Sequence, residues 1–510
     1  MKEISLNLPQ RYKIDIILDV NSHIIFMQRK FITNLGLLIL LNLLIKPFWV
    51  FGIDRTVQNI VGAENFGFYF TIFNFSFLFN ILLDMGITNF NNRNIAQNSQ
   101  LLTKHFSGII SLKLILGFVY FLMTIGVGLL WGYHSKQLYL LMLVGFNQFL
   151  LSLLLYLRSN ISGLLLFRTE SFMSVLDRSL MIIIMSVLLW GGITQKPFRI
   201  EWFVYAQTTA YVLAVVTAYI VVILKSKSLK ISWNYPFFLM ILRKSLPFAL
   251  LTLLMTFYNR IDSVMIGKLL PPGQGAIQAG IYAHAYRILE ATNQIAFLFA
   301  VLLLPSFSHL IKEKQKITHI IKISFSLLFV STTLLAVNSF FYSFDFMDLL
   351  YDDYLNQSAS VYSVIIFGVI AMGSSYVFGT LLTANGNLKE LNIIAAISLV
   401  ISLSLNIILV PRYQALGSAI ANLFALSFST IAQLFVVHHS FGFSVDTKFL
   451  RAIIVFVVIT VLTVYASTYV DSIHWVWKIM INVMISLAVA MLFKLLNVKE
   501  FISAVKDRDN

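Results

Sequence analysis

The sequence predicts an all-α membrane protein of about 14 transmembrane helices, in two pseudo-symmetric six-helix bundles followed by two further helices. Three observations lead to this reading: a composition outside the soluble range, apolar runs of bilayer length, and a motif that recurs about six spans later. Of 510 residues, 58% are hydrophobic and 12% charged, and the mean hydropathy is +0.84. A soluble domain covers its surface with charge, whereas a lipid-facing helix needs only apolar side chains and internally paired backbone amides.

A helix crosses the hydrocarbon core with about twenty apolar residues. In the first bundle, residues 31–224, such runs occupy 31–52, 66–86, 107–131, 139–157, 172–192 and 204–224. In the second, residues 245–440, they occupy 245–267, 280–304, 323–342, 360–383, 392–410 and 417–437. Segment 450–496 adds runs at 452–469 and 475–493. Residues 1–30 are polar and charged, unlike a cleavable signal peptide, and are read with the tail 497–510 as cytoplasmic.

A net charge of +15 raises the question of a nucleic-acid partner. The basic residues answer it, because they sit between apolar runs. Lys225, Lys227, Lys230, Arg243 and Lys244 cluster in or beside a basic linker at 225–244, and Lys312, Lys314, Lys316 and Lys322 form a second cluster. That is the positive-inside pattern, and it places both termini in the cytoplasm. No loop is long enough to build a basic, aromatic-rich nucleic-acid surface. The acidic stretch SFDFMDLLYDDY at 343–354 falls on the opposite side. With no cysteine in the chain, disulfides, thiolate metal sites and cysteine nucleophiles are excluded.

The repeat sets the architecture. GAENFGFYF at 62–70 and GAIQAGIYA at 275–283 share the pattern G-A-x-x-x-G-x-Y, and Gly163-Leu164-Leu165-Leu166 parallels Gly379-Thr380-Leu381-Leu382 at nearly the same offset. An offset of six spans means that the two units point the same way through the membrane. They are then related by an axis along its normal, with a cavity between them.

A charge at the centre of a membrane helix costs roughly 2.5–3.5 kcal/mol on insertion scales, so polar residues there are functional candidates. In the seventh span Thr252, Thr256, Asn259 and Ser263 lie on one helical face, with Arg260 beside it. In the eighth, His284, Arg287, Glu290 and Gln294 form a second stripe. The plainer alternative is that Arg287 only neutralises Glu290 at i, i+3, and that Asp262 pairs with a nearby cation. Lys46 beside Pro47, and Arg178 beside Asp177, are weaker cavity candidates, and Lys113 reads as a snorkelling anchor. The histidines show no metal-ligand spacing, and no phosphate-binding loop, nucleophile elbow, dinucleotide fingerprint or zincin motif occurs. The expectation is therefore no cofactor, no metal and no enzyme.

The stretches DMGITNFNNRNIAQN at 84–98, YNRIDSVMIGKLLPPGQGAIQAGIYAHAYRILE at 258–290 and LLTANGNLKELNIIAAISLVISLSLNIILVPRYQALGSAIANLFA at 381–425 resemble the Wzx-type polysaccharide flippases. That superfamily also holds the MATE-like multidrug antiporters and the lipid II flippase. The resemblance runs from about residue 30 to 440. It implies a bacterial inner-membrane protein that moves an undecaprenyl-diphosphate-linked oligosaccharide from the cytoplasmic to the periplasmic leaflet, for O-antigen or capsule synthesis. Other polysaccharide-assembly membrane proteins are its implied partners.

The resemblance also implies a central cavity whose cations meet the diphosphate. Here the matching positions are Arg260 and Arg287, then Lys46 and Arg178, with His284, Asn259 and Gln294 beside them. A drug/cation antiporter would instead couple through carboxylates, for which Asp84, Asp262 and Glu290 are the candidates. A polysaccharide polymerase or ligase would need a large outer loop, and the longest outer segment is about seventeen residues, at 343–359.

Overall fold

The computed structural model describes residues 37–496, apart from 38–39, 43, 165, 193–196, 227–232, 272, 315–316 and 443–445. The two terminal segments expected at 1–30 and 497–510, and Lys227, Lys230 and Lys316, lie outside the described residues. Among the described residues every regular element is helical, and ten helices are long and apolar enough to cross a membrane.

The chain enters through a helical stretch that ends in a π-helical turn, Phe48–Asp54, and continues into α1, Arg55–Leu78. Short helices α2, Ile81–Asp84, and α3, Ile87–Gln97, follow. Four long helices complete the first half: α4, Leu101–Leu130; α5, Ser135–Gly163; α6, Phe167–Trp190; and α7, Ile200–Ser226. The second half opens with α8, Tyr235–Leu269, and α9, Gln274–Lys312, then α10, Thr318–Phe341. Helix α11, Ser343–Leu350, leads to α12, Leu355–Ile365, α13, Gly368–Asn385, and α14, Leu388–Phe441. Last come α15, Thr447–Thr468, and α16, Trp475–Leu492.

The difference between about 14 expected spans and ten has physical causes. Helix α14 has 54 residues, and a straight helix of that length would run about 80 Å, far beyond a hydrocarbon core of about 30 Å. It folds back at Gln414, whose φ of 54° and ψ of −131° break the helix. Ser418 Oγ, beyond the break, donates to Asn406 Oδ1, so the runs expected at 392–410 and 417–437 form a hairpin. Likewise Gly62, with φ 75° and ψ 166°, interrupts α1 between the first two expected runs. Helix α9, with 39 residues, is long enough to span, and it carries Arg287 and Glu290 near its middle.

The repeated motif marks a close backbone contact between the two halves. A Cβ placed on Gly67 would stand 1.8 Å from the Ala276 carbonyl oxygen, and one on Gly280 would stand 2.0 Å from that of Ala63. Ala63 and Ala276 occupy matching positions in the repeat, as do Gly67 and Gly280. The contact therefore exchanges with itself, as a contact across a two-fold axis must. Only glycine lets two helix backbones approach so closely.

The apolar cores show how the halves are joined. One cluster contains Trp49, Phe66, Tyr69, Tyr133, Phe203, Tyr282, Tyr351 and Ala415. It draws on both halves at the face opposite the chain's start, called the far face below. Near the opposite face the cores divide. One holds Ile95, Phe106, Tyr156 and Val222 of the first half together with Phe238 and Ile241 from the start of α8, and another holds Phe307, Phe378, Leu382 and Val437 of the second half. Helices α15 and α16 pack outside, on α10, through Phe449, Phe456 and Ala490 against Val330 and Leu334. The halves thus share one core at the far face, whereas the near face holds two cores, with the start of α8 packed on the first half.

Lys113 does not snorkel. It is 1% exposed, and its Nζ donates to the Leu83 carbonyl at 3.0 Å, to Asp84 Oδ1 at 2.5 Å and to Ser152 Oγ at 3.0 Å. Asp84 also accepts from the Thr88 backbone N–H at 3.3 Å. The pair pins the chain reversal at Met85 and Gly86, both at positive φ, between α2 and α3.

Overpacking a tight backbone contact costs about 1–3 kcal/mol, and more where backbone faces backbone. Gly67→Val and Gly280→Val are therefore each expected to lower the melting temperature of the detergent-solubilised protein by several degrees. Wild-type melting in both variants would refute the crossing.

Candidate functional site

The polar stripes of α8 and α9 meet where the two halves face each other. Arg260 Nη2 lies 2.5 Å from Glu290 Oε1, and Arg287 Nη1 lies 3.0 Å from Glu290 Oε2. One carboxylate thus bridges both guanidinium groups. Arg287 Nε also stands 3.2 Å from Asp54 Oδ2, across the boundary between the halves. Asp54 is 2% exposed, accepts from Gln58 Nε2 at 3.0 Å and keeps its other oxygen without a partner. Arg260 Nη1 donates to Asn74 Oδ1 at 3.4 Å.

Aromatic faces hold the guanidinium planes. Arg260 lies over Phe77 and Tyr286, at 4.8 and 5.6 Å from the ring centroids. Arg287 lies over Phe70 at 5.3 Å and Phe66 at 6.0 Å. Such contacts favour arginine over lysine, because a planar cation stacks and forks where an ammonium cannot.

The weaker candidates join the same region from the first half. Lys46 Nζ donates to Gln294 Oε1 at 3.4 Å, linking the entering helix to α9. Arg178 covers the Trp49 ring at 5.2 Å and makes a long, 3.6 Å pair with Asp177. Arg260, Arg287, Lys46 and Arg178 thus face Glu290, Asp54 and Asp177, leaving an excess of positive charge. Asn259 is half-buried, and its carbonyl accepts from Tyr286 Oη at 2.9 Å. His284 is not gathered into the cluster: its ring stacks on Tyr351 at 3.9 Å, and Nδ1 lies 2.9 Å from Ser358 Oγ, inside the far-face core.

The three candidate carboxylates part company. Glu290 is held by two arginines, and Asp84 by Lys113. Asp262 is 1% exposed and has no cation among the described residues. Its Oδ1 accepts from Asn406 Nδ2 at 2.9 Å, and its Oδ2 from Tyr282 Oη at 2.9 Å and Asn422 Nδ2 at 2.6 Å. The cation expected beside it is replaced by a cage of neutral donors from α9 and both arms of the α14 hairpin.

Asp54 is the site residue that sequence reasoning missed. It ends an apolar run beside Arg55 and so reads as a boundary residue. One signal was present: Ile53-Asp54-Arg55 and Arg260-Ile261-Asp262 place an Ile-Asp pair and an arginine near the end of the first helix of each half.

Two halves related by a parallel repeat, a far-face core shared between them and a charged cluster where they meet define a polytopic helical membrane protein of two bundles. The chain matches the family described as polysaccharide biosynthesis protein over residues 32–311, more than half its length, and belongs to that family. Among solved structures it is similar to the lipid II flippase MurJ in an inward closed conformation. The TM-score is 0.66 at 15% identity, covering 91% of this chain and 100% of that one. A multidrug resistance MATE family transporter in an inward-facing conformation aligns with a TM-score of 0.58 at 15% identity, over 81% of this chain and 98% of that one. A MOP superfamily transporter from Pyrococcus furiosus gives a TM-score of 0.53 at 14% identity, over 80% and 93%. Against curated protein sequences the chain finds no match. The likeness to these structures establishes the fold that they share.

Removing one partner of a buried ion pair strands the other, whereas removing both does not. Asp54→Ala and Arg287→Met are each expected to be destabilising, and the double variant less so than their sum, with a coupling of about 1–3 kcal/mol. Additive melting shifts in that cycle would show that the cross-boundary pair is not formed.

Proposed function

We propose that this protein is a flippase that carries an undecaprenyl-diphosphate-linked oligosaccharide across the cytoplasmic membrane for surface polysaccharide synthesis. The observation that carries the reading is the pair Arg260 and Arg287, set on aromatic faces where the two halves meet and bridged by Glu290 alone. A diphosphate offers two charged, acceptor-rich groups at a spacing that suits two guanidinium forks. In this reading it displaces the Glu290 carboxylate, so that one set of charge-assisted bonds on the two guanidinium groups replaces another, and the displaced carboxylate, already 26% exposed, turns to water.

The halves at 31–224 and 245–440 act as the two moving bodies, with α15 and α16 outside them. The near face is the cytoplasmic one, as the Lys and Arg distribution between spans supports, and both termini lie there. The near face, which holds two separate cores, then opens to load substrate from the inner leaflet. Sugars and diphosphate cannot enter hydrocarbon without losing hydrogen bonds to water, so they travel in the polar cleft while the polyprenyl tail stays in lipid. With the cytoplasm negative, outward movement of two negative charges is favoured by roughly 4–5 kcal/mol per 100 mV. The sugars carried, and whether they serve O-antigen or capsule, are left open in this reading.

A drug/cation antiporter would need a carboxylate free to take a cation. Glu290 and Asp84 are neutralised by their partners, which leaves Asp262 as the one caged carboxylate suited to ion coupling, in a flippase as much as in an antiporter. Asp262→Asn keeps the cage's size and removes its charge. If Asp262 couples an ion, the variant reaches the membrane in normal amount and surface polysaccharide falls at least about tenfold. Unchanged polysaccharide excludes the role.

Arg260→Ala or Arg287→Ala is expected to abolish surface polysaccharide, with the protein still in the membrane and the lipid-linked repeat unit accumulating inside. Glu290→Gln removes the resident counter-ion, so the affinity of the purified protein for a polyprenyl diphosphate is expected to rise about tenfold, or ~1.4 kcal/mol. Normal polysaccharide in both arginine variants, or weaker binding in Glu290→Gln, counts against the assignment.

A further inference from the structure

A second cavity, of about 420 Å³, lies on the far face, apart from the arginine cluster. Its walls are the first turns of α1 beyond Gly62, the turn between α4 and α5, and the turn between α8 and α9. We propose that this cavity binds the phosphate group of a lipid in the far leaflet. Calling that leaflet the outer one rests on the orientation proposed above; the binding itself does not.

Position is the first argument. All three walls are helix ends at one face of the membrane, and two of the lining residues, Trp131 and Tyr133, are of the types that settle at headgroup level. The second argument is unspent hydrogen-bonding capacity. Lys268 Nζ donates to the Trp131 carbonyl at 2.6 Å and stands 5.7 Å from the centre of its ring. Lys136 Nζ stands 5.4 Å from the centre of the Phe68 ring. Among the described residues neither ammonium has a carboxylate within ion-pairing distance. Each carries three N–H groups, so both have donors to spare. The indole N–H of Trp131 and the hydroxyl of Tyr133 are buried with no partner.

The third argument is the kind of group that remains. Gln137 spends its carbonyl on the His134 backbone N–H at 2.9 Å, which leaves its amino group. Asn65 spends its amino group on the Val61 carbonyl at 3.0 Å. Glu64 is the one carboxylate among the residues lining the cavity. The wall therefore offers mostly donors and an excess of positive charge. A sugar brings hydroxyls that donate as well as accept, and would need more acceptors than Glu64 and the Asn65 carbonyl. A phosphate ester brings acceptors alone, with charge opposite to that of the lysines, at the depth where lipid phosphates lie. The N-terminus of α9 at Gln274 opens onto the same space and adds a favourable dipole.

The test uses the full-length protein in phosphatidylcholine nanodiscs, titrated with a polyprenyl phosphate in one arm and with phosphatidylglycerol in the other. Binding is read by tryptophan fluorescence, with Trp131→Phe identifying the reporter. The expected result is a saturable change that is lost in Trp131→Phe. In Lys136→Gln/Lys268→Gln the half-saturating concentration is expected to rise at least about tenfold, while Lys136→Arg/Lys268→Arg stays within about threefold of wild type. Saturation at lower polyprenyl phosphate than phosphatidylglycerol assigns the site to the carrier lipid; the reverse order assigns it to bulk anionic phospholipid. No saturable change in either arm, or a glutamine variant that titrates like wild type, overturns the proposal. The titration involves no transport, so its outcome is separate from that of the arginine variants.

Discussion

The position of everything near the centre of this protein depends on the crossing of α1 and α9 at Gly67 and Gly280. Lipid supplies no hydrophobic force to press helices together, so close backbone packing must do that work, and small residues permit it. The crossing fixes how far apart the two halves stand. Asp54 lies eight residues before Gly62, and Arg287 seven after Gly280. With the backbones in contact, these two side chains from different halves meet at 3.2 Å. A wider crossing would leave Arg287 with Glu290 alone and Asp54 without a cation.

The charge arrangement follows from that geometry and from the expense of burying ions. Replacing a buried pair by apolar residues is often neutral or stabilising, so ion pairs inside a membrane protein are weak evidence for stability and better evidence for use. The three candidate acids are treated differently. Asp84 and Lys113 form a local clasp at a chain reversal. Glu290 is shared between two arginines, which makes it exchangeable for another bidentate anion. Asp262 is surrounded by Tyr282, Asn406 and Asn422, which stabilise charge without cancelling it. These correspond to a structural part, a substrate-facing part and an ion-responsive part in the function proposed.

What could be read from the sequence divides along the range of the interactions. The apolar runs, the repeat and the single-faced polar stripes are periodic, and periodicity survives without knowledge of tertiary contacts. The Arg287–Glu290 pair was legible because it spans one helical turn. The Asp54–Arg287 and Lys113–Asp84 pairs were not, because each joins segments far apart in the chain. His284 shows the limit of the stripe argument. It shares the face of Arg287 and Glu290, but it lies nearer the far end of α9, where Tyr351 covers it. A stripe reports which way side chains point, and depth along the helix decides whether they meet a cleft or a core. A hairpin without a loop, as at Gln414, joins two of the expected runs in one helix, which a reading of apolar runs alone does not show.

The apolar cores are arranged differently at the two faces. On the far side, residues of both halves share one core, reinforced by Arg55, which donates to the Leu350 and Leu349 carbonyls at the end of α11, and by Asn59 Nδ2, which donates to Leu350 O at 3.2 Å. Opening that face would separate a continuous aromatic surface and uncap the last turn of α11. On the near side there are two cores, and the start of α8 packs on the first half. In the function proposed, a rocking motion about the glycine crossing parts one face as it closes the other. The net cost is then a small difference between two large terms. A ligand that replaces Glu290 between the arginines changes that difference directly, because Arg287 is also the residue that ties the halves together through Asp54. In the function proposed, binding and gate thus share one guanidinium group, and occupancy of the site acts at the boundary between the halves without any longer relay.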